Sequence, residues 1–377
     1  MKRYDAIVVG AGPAGSVTAL RLAQEGASVL LLDRAKFPRD KPCGGGLTYR
    51  AVRELPVDVT PVVEDVVDRF EFSFRYRGRF ERKSAATIIL MTQRRRLDAF
   101  LAEQAQEAGA ELREGVKVSS VTEDGAVVAA GETLRAGVVV GADGVNGITA
   151  RALGLGTGYR YGVALEGNVA YRHASEDRYR GRAVLELGVV PGGYGWVFAK
   201  GDHVNVGVGG WDSEGPRLRA HLHRLCEAHR IPLGAVEETR GYRLPLRRRD
   251  DALRKGRVLL AGDAAGLVDP LSGDGMYEAF VSARLAANAI AADDLEGYGT
   301  RLNSALASNA SASWAAKRAL DRFPRTIYGF ARIPIVWRFA DALLRGELKS
   351  PSDAAGAMKA PLKVVKALGK IDERLAA

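Results

Sequence analysis

The stretch from Tyr4 to Asp33 restricts the possible folds more than any other part of the chain. Tyr4-Asp5-Ala6-Ile7-Val8-Val9 is a short β-rich run. Gly10-Ala11-Gly12-Pro13-Ala14-Gly15 follows without a gap, and an Ala- and Leu-rich helical stretch runs from about Pro13 to Gly26. Ser28 to Leu32 reads as a second buried strand, ending at Asp33. Each part has a physical task. Gly10 permits a tight turn, Gly12 lets the backbone approach a pyrophosphate, and Gly15 lets the helix pack closely on the strand. The helix N-terminus turns unpaired N–H groups and a positive dipole end toward phosphates. Asp33 lies about 20 residues on, where a carboxylate accepts hydrogen bonds from a ribose. A glycine turn that merely packs would leave this acid unexplained, so the unit predicts a dinucleotide site. By itself it does not separate FAD from NAD.

Two later segments end in the same way. Leu134 to Val140 reads as a strand running into Gly141-Ala142-Asp143-Gly144-Val145-Asn146-Gly147. Arg257 to Ala261 reads as another, running into Gly262-Asp263-Ala264-Ala265-Gly266. In open α/β sheets ligands bind beyond the carboxyl ends of the strands. An Asp there suits ribityl hydroxyls, and the glycines leave room for the flavin chain. The three segments resemble the three FAD signatures of the flavoprotein group that includes aromatic hydroxylases, halogenases and the geranylgeranyl reductase family. The loop Val268-Asp269-Pro270-Leu271-Ser272-Gly273-Asp274-Gly275-Met276 fits that group, as does Arg94, four residues before Asp98. Arg95 and Arg96 read as solvated. The resemblance spans most of residues 1–290. It implies FAD as cofactor, held by Gly10, Gly12, Pro13, Ala14, Gly15, Asp33, Arg34, Cys43, Gly44, Arg94, Asp143, Gly144, Gly262, Asp263, Pro270, Gly273, Gly275 and Met276. A helix from Gly275 to Asn288 would point its N-terminus at the flavin ring, where it stabilises negative charge.

Two more motifs narrow the resemblance. Lys41-Pro42-Cys43-Gly44-Gly45-Gly46-Leu47-Thr48 is similar to the KxCGxG stretch of geranylgeranyl reductase-like proteins. Pro191-Gly192-Gly193-Tyr194-Gly195-Trp196-Val197-Phe198-Ala199 is similar to their PxxYxWxFP signature, with Ala199 in place of the final Pro. Tyr194 and Trp196 alternate along a strand and so share one face. Spacing alone suits an ordinary core pair; the resemblance makes them, with Gly45, substrate-binding residues. What it implies is reduction of isolated C=C bonds in a polyprenyl chain on a diphosphate, a lipid or a quinone. Such an alkene needs an acid as well as a hydride, and Cys43 is the catalytic candidate. The partners implied are a prenylated substrate and an electron donor (a ferredoxin, a quinol or NAD(P)H). An oxygen-dependent monooxygenase or halogenase is the alternative, and a non-catalytic FAD-bound lipid carrier a third reading.

The expected fold is α/β: a Rossmann-like FAD-binding domain (1–55, 93–150 and 250–295) interleaved with an antiparallel-sheet substrate domain (56–92 and 151–249). A helical region, 296–377, follows. Its stretch from Phe323 to Leu344 mixes aromatic and aliphatic residues with Arg325, Arg332, Arg338 and Arg345. That pattern fits packing on the catalytic domains or lying on a membrane surface. The tail is a basic extension or a final helix. Arg247-Arg248-Arg249 reads as a solvated loop. The charge of +10 favours anionic partners in general, but no nucleic-acid-binding module is visible. Cys43 and Cys226 are too few for a disulfide framework or a metal site. No apolar run reaches the roughly 18 residues of a membrane span, and no signal peptide opens the chain. The expected location is the cytoplasm, with peripheral membrane contact left open.

Overall fold

A computed structural model describes residues 3–246 and 252–375. The Arg247–Arg249 run lies outside the described residues. Arg3–Val9 forms the centre of a parallel core in which Val258–Leu260, Glu132–Gly141, Arg3–Val9, Val29–Leu32 and Glu111–Arg113 lie side by side. Period-two alternation divides the central strand between two layers. Ala6 and Val8 pack with Leu20, Ala105 and Ala279 on the helical side. Ile7 and Val9 pack with Val118, Val121 and Val127 on the other. The helices Pro13–Gln24, Arg94–Glu107 and Met276–Ala291 make the first layer, and the antiparallel strands Val118–Val121 and Ala126–Ala129 the second. The helix after the glycine turn carries Pro13 at its start, where the missing N–H costs nothing.

A seven-stranded sheet stands beside this core, in the order Glu237–Leu246, Arg160–Ala170, His203–Trp211, Tyr194–Ala199, Arg182–Leu187, Arg69–Phe74 and Arg77–Lys83. It is antiparallel except where Arg182–Leu187 runs parallel to Arg69–Phe74. Tyr194–Ala199 and His203–Trp211 form a hairpin, with Trp196 opposite Gly207. Val197 and Ala199 pack beneath the sheet with Leu222, Leu225 and the fully buried Cys226 of helix Leu218–Ala228. The alternate residues Tyr194, Trp196 and Phe198 are left facing a cavity. The glycine run ends in a strand: Gly46–Thr48 pairs with Ile89–Met91, which pairs in turn with Asp65–Val67. This pins the far end of the KPCGGG segment.

The C-terminal region is helical, but Phe323 to Leu344 is not one helix. Pro324 and Pro334 each open a new one, giving Pro324–Ala331 and Pro334–Leu344, because proline tolerates the first helical turn and not the interior. The aromatic residues turn toward the edge of the large sheet. Tyr328 lies 5.6 Å from Phe74 and 5.5 Å from Phe80, and Trp337 5.7 Å from Phe70. Trp337 Nε1 donates to Lys83 O at 3.1 Å. Arg325 and Arg338 stay exposed. Part of the apolar side of these helices therefore packs on the sheet edge, through Tyr328 and Trp337. The tail forms a final helix, Lys359–Leu375, against Gly297–Arg322.

The tightest point is the glycine turn, where a Cβ on Gly15 would lie 1.8 Å from Gly10 O. Gly15→Val is expected to yield no soluble holoprotein, or to lower unfolding free energy by more than the ~3 kcal/mol usual for overpacking. A urea titration that overlays the wild type would refute this.

Candidate active site

One cavity of about 980 Å³ runs along the carboxyl ends of the parallel strands and on between the large sheet and the C-terminal helices. Three separated stretches of chain meet at its polar end because their parallel strands are neighbours. Its lining includes Gly10, Gly12, Pro13, Ala14, Asp33, Arg34, Cys43, Gly44, Gly45, Arg94, Asp143, Gly144, Tyr194, Trp196, Gly262, Asp263, Pro270, Gly273, Gly275 and Met276. Gly15 is the one sequence candidate off the lining. It is buried beneath the turn, where it sets the helix-to-strand distance.

The residues fit a dinucleotide. A Cβ on Gly12 would meet no backbone and would approach only Arg39 Nη2 at 3.7 Å and Arg94 Nη2 at 3.9 Å. The turn thus faces two guanidinium groups across open space, as a pyrophosphate requires. Both are held by a fully buried acid. Arg94 binds Asp98 with two hydrogen bonds of 2.6 and 2.7 Å, and Arg39 Nη2 lies 3.0 Å from Asp98 Oδ2. Burial disfavours the charge on Arg94, but Asp98 outweighs it and holds the guanidinium pKa above its ordinary value. Arg95 and Arg96 are exposed, and Arg96 pairs with Glu64.

The three acids of the signatures are held differently. Asp33 Oδ2 accepts the Ala11 N–H at 2.7 Å, which orders the turn, and Oδ1 accepts the Ala35 N–H at 2.8 Å. Asp143 Oδ2 accepts the N–H groups of Ile148 and Thr149 and the Thr149 hydroxyl, at 2.7, 2.9 and 2.9 Å. Its Oδ1 is buried without a partner among the described residues, in a residue that lines the cavity. Burial pushes this carboxyl up from its ordinary pKa. Asp263 accepts from Lys41 Nζ at 3.2 Å and from the Tyr242 hydroxyl at 3.0 Å. Burial opposes its charge, but Lys41 and Tyr242 prevail and the carboxyl sits below its ordinary value.

The KPCGGG segment crosses the middle of the cavity. Cys43 is free and half-buried, and its Sγ accepts the Gly45 N–H at 3.4 Å. Its peptide is clamped from both sides: Cys43 N–H donates to Glu166 Oε1 at 2.6 Å, and Lys200 Nζ donates to Cys43 O at 3.1 Å. Burial raises the Glu166 carboxyl, against the opposing charge of Lys200. Gly44 packs under Phe198, and Trp196 Nε1 donates to Asn205 Oδ1 at 2.8 Å. Tyr194 and Trp196 meet edge to face at 6.0 Å, and the Tyr194 hydroxyl donates to Ser272 O, tying the sheet to the flavin-end loop. Arg39, Lys41, Glu166, Lys200, Asn205 and Tyr242 were not among the residues singled out from sequence. Lys41 lay inside a quoted motif. Glu166 and Tyr242 come from adjacent strands of the large sheet, and nothing local in the sequence marks them.

The family described as FAD binding domain matches residues 3–316. The chain is 33% identical over 322 residues to the menaquinone reductase of Mycolicibacterium smegmatis, covering 78% of each chain. It is 33% identical over 327 residues to the chloroplastic geranylgeranyl diphosphate reductase of Oryza sativa subsp. japonica, covering 78% of this chain and 68% of that one. The fold is shared with a geranylgeranyl bacteriochlorophyll reductase-like protein from Thermoplasma acidophilum (TM-score 0.75, 22% identity, covering 93% of this chain and 98% of that one). It is shared equally with a flavin-dependent brominase (TM-score 0.76, 17% identity, covering 99% of this chain and 100% of the other).

Because a side chain at Gly12 would enter the open space between the turn and Arg39 and Arg94 without touching the core, Gly12→Val is expected to keep the fold and lose FAD if the pyrophosphate is bound there. Affinity measured by flavin fluorescence should fall at least about 100-fold, the scale of losing one or two charge-assisted hydrogen bonds. A variant that purifies with full yellow colour would show that the phosphates lie elsewhere. Three ordered signatures at one cavity, the family match along the chain and the reductase relatives together make this protein an FAD-dependent oxidoreductase of the geranylgeranyl reductase family.

Proposed function

We propose that the protein reduces isolated C=C bonds in a polyprenyl chain, with electrons delivered to FAD by a separate donor (a ferredoxin, a quinol or NAD(P)H). The observation that carries the reading is the continuity of the cavity. Beyond Tyr194 and Trp196 it is walled by Leu320, Ile327, Val336, Phe339, Leu343 and Leu362, apolar side chains of the C-terminal helices. An elongated hydrocarbon fills such a space; a compact aromatic ring uses a fraction of it. The names of the reductase relatives agree with a prenyl or quinone substrate.

When bound and reduced, FAD supplies a hydride for one alkene carbon. The protein's tasks are to align the chain, exclude water and place a proton at the other carbon. Tyr194 and Trp196 supply flat apolar faces for alignment. The Cys43 thiol stands on the cavity wall in a peptide fixed by Glu166 and Lys200, and we assign it as the acid. The N-terminus of Met276–Ala291 rises from the loop at Gly275 and favours negative charge at the flavin end by up to ~1–2 kcal/mol. No helix among the described residues is long and apolar enough to cross a membrane. A prenyl-lipid substrate would be met by contact with the membrane surface.

Monooxygenase or halogenase chemistry is the competing reading, since flavoenzymes of that kind share the fold. The two separate under anaerobic conditions. Enzyme with chemically reduced flavin, given geranylgeranyl lipids, should yield products heavier by two hydrogens per reduced bond in mass spectrometry. No mass change, with rapid oxygen-dependent turnover of aromatic substrates, would establish the alternative. Cys43→Ala should retain FAD and slow alkene reduction about 100-fold, within the range for a lost general acid. Unchanged single-turnover rates would remove Cys43 from the mechanism.

A further inference from the structure

The sheet face that carries Tyr194, Trp196 and Phe198 does not stay apolar along its length. Alternation continues it to Lys200, whose N–H still donates across the hairpin to His203 O. The pairing of Arg160–Ala170 with His203–Trp211 sets Glu166 opposite Gly207 and Asn168 opposite Asn205, and Phe198 also lies opposite Asn205. Glu166, Asn168, Lys200, His203 and Asn205 therefore form a polar patch at one end of an aromatic face. The KPCGGG segment crosses where the two meet: Gly44 packs under Phe198, and the Cys43 peptide is held by Glu166 and Lys200.

A second cavity, of about 30 Å³, lies over this patch and is lined by its five residues. At ~10–15 Å³ of such space per water it has room for about two, and polar cavities of this kind are hydrated. It reaches solvent at the exposed Arg240–Asp40 pair, which also lines it. His203 gives a second link outward: its Nδ1 stands 2.7 Å from Oδ1 of Asp202, whose side chain is 88% exposed. Cys43 and Glu166 line both this cavity and the large one, so they belong to the wall between them.

That wall matters for the supply of protons. Each reduced bond consumes one, and the Cys43 thiol must be recharged before the next. A hydrocarbon chain filling the large cavity leaves no polar path through its apolar end. The small cavity offers one on the other side. Glu166 is 8% exposed, and its Oε1 lies 2.6 Å from the backbone nitrogen of the residue that bears the thiol. Burial raises its carboxyl pKa against the charges of Lys200 and of Arg94 on helix Arg94–Glu107, so it holds a proton more readily than an exposed carboxylate does.

We propose that Glu166 relays the reaction proton from the small cavity to Cys43, leaving the substrate side of the site dry. This rests on the reading of Cys43 as the acid of alkene reduction. As hydride adds to one alkene carbon, the Cys43 S–H bond breaks and its proton forms a C–H bond at the other. The thiolate then takes the O–H proton of Glu166, and the carboxylate takes one from solvent through the small cavity. One proton is consumed per bond, and both side chains return to their starting state.

Glu166→Gln keeps an acceptor for the Cys43 N–H but has no acid proton. It should retain FAD and slow single-turnover alkene reduction about 100-fold, within the range for a lost proton-transfer group. Glu166→Ala leaves room for a small molecule: added formate should restore turnover, and formamide, an acceptor of similar shape without the acid, should not. Infrared difference spectra of the oxidised proteins at the pH of turnover supply a readout independent of activity. Wild type should show a protonated-carboxyl band that Glu166→Gln lacks and that shifts on transfer to D2O. A Gln variant as fast as wild type, rescue by formamide equal to that by formate, or a spectrum without the Glu166 band would each reduce Glu166 to a clamp on the peptide and overturn the relay. If the Glu166 variants lose FAD, His203→Leu decides, since His203 lines the small cavity and not the large one. It should slow the same step about five-fold, the scale of one hydrogen bond; an unchanged rate would close this route. Wild-type product masses test the reductase reading by themselves, and the infrared band tests Glu166 whether or not that reading holds.

Discussion

Gly15 lies so close to Gly10 that any side chain there would overlap the Gly10 carbonyl, and the whole polar end of the cavity is organised from that contact. It sets the height of helix Pro13–Gln24 over the central strand, and with it the direction of the N–H groups that open the helix. The same turn is held laterally by Asp33, which accepts the Ala11 N–H. The surface we propose for the phosphates is therefore backbone, fixed by packing beneath it and a carboxylate beside it. Preorganisation of this kind means that little ordering remains to oppose binding.

Positive charge is managed by the same economy of position. Arg94 and Arg39 converge on Asp98, an acid with no exposure of its own. One buried carboxylate thus keeps two guanidinium groups oriented across from Gly12. Lys41 and Tyr242 converge likewise on Asp263. Breaking such a pair leaves an uncompensated buried charge, so each acid is structurally tied to the cation it orients. The KPCGGG segment repeats the pattern with its peptide groups, clamped between Glu166 and Lys200. These contacts join the large sheet to the FAD side of the molecule, and they place Cys43 at the junction.

The apolar half of the cavity comes from a different source. The large sheet offers Tyr194, Trp196 and Phe198 on one face because helix Leu218–Ala228 covers the other. The C-terminal helices close over that open face, held at the sheet edge by Tyr328 and Trp337. Their arginines stay outside, and the wall they give the cavity is almost wholly uncharged. Flavoenzymes with other chemistries share this overall fold, so the distinguishing features are the occupants of this wall and of the glycine segment, consistent with function residing in the site more than in the fold.

The amino-acid sequence alone determined the dinucleotide turn, the neighbouring GADG and GDAA strand ends, and the resemblance that named FAD. These are contiguous runs in which a few residues specify backbone geometry locally, so they are readable without knowing what lies nearby. The alternation that turns Tyr194 and Trp196 to one face was readable for the same reason. Tertiary structure alone decided that Glu166, Lys200 and Tyr242 meet the motif loops and that Arg39 shares Asp98 with Arg94. Each of those residues is unremarkable in its own stretch of chain. Sheet register and helix docking bring them together across separations from 21 residues (Tyr242 to Asp263) to 157 (Lys200 to Cys43), and such pairing is set by the sum of many packing contacts and by no single run of sequence.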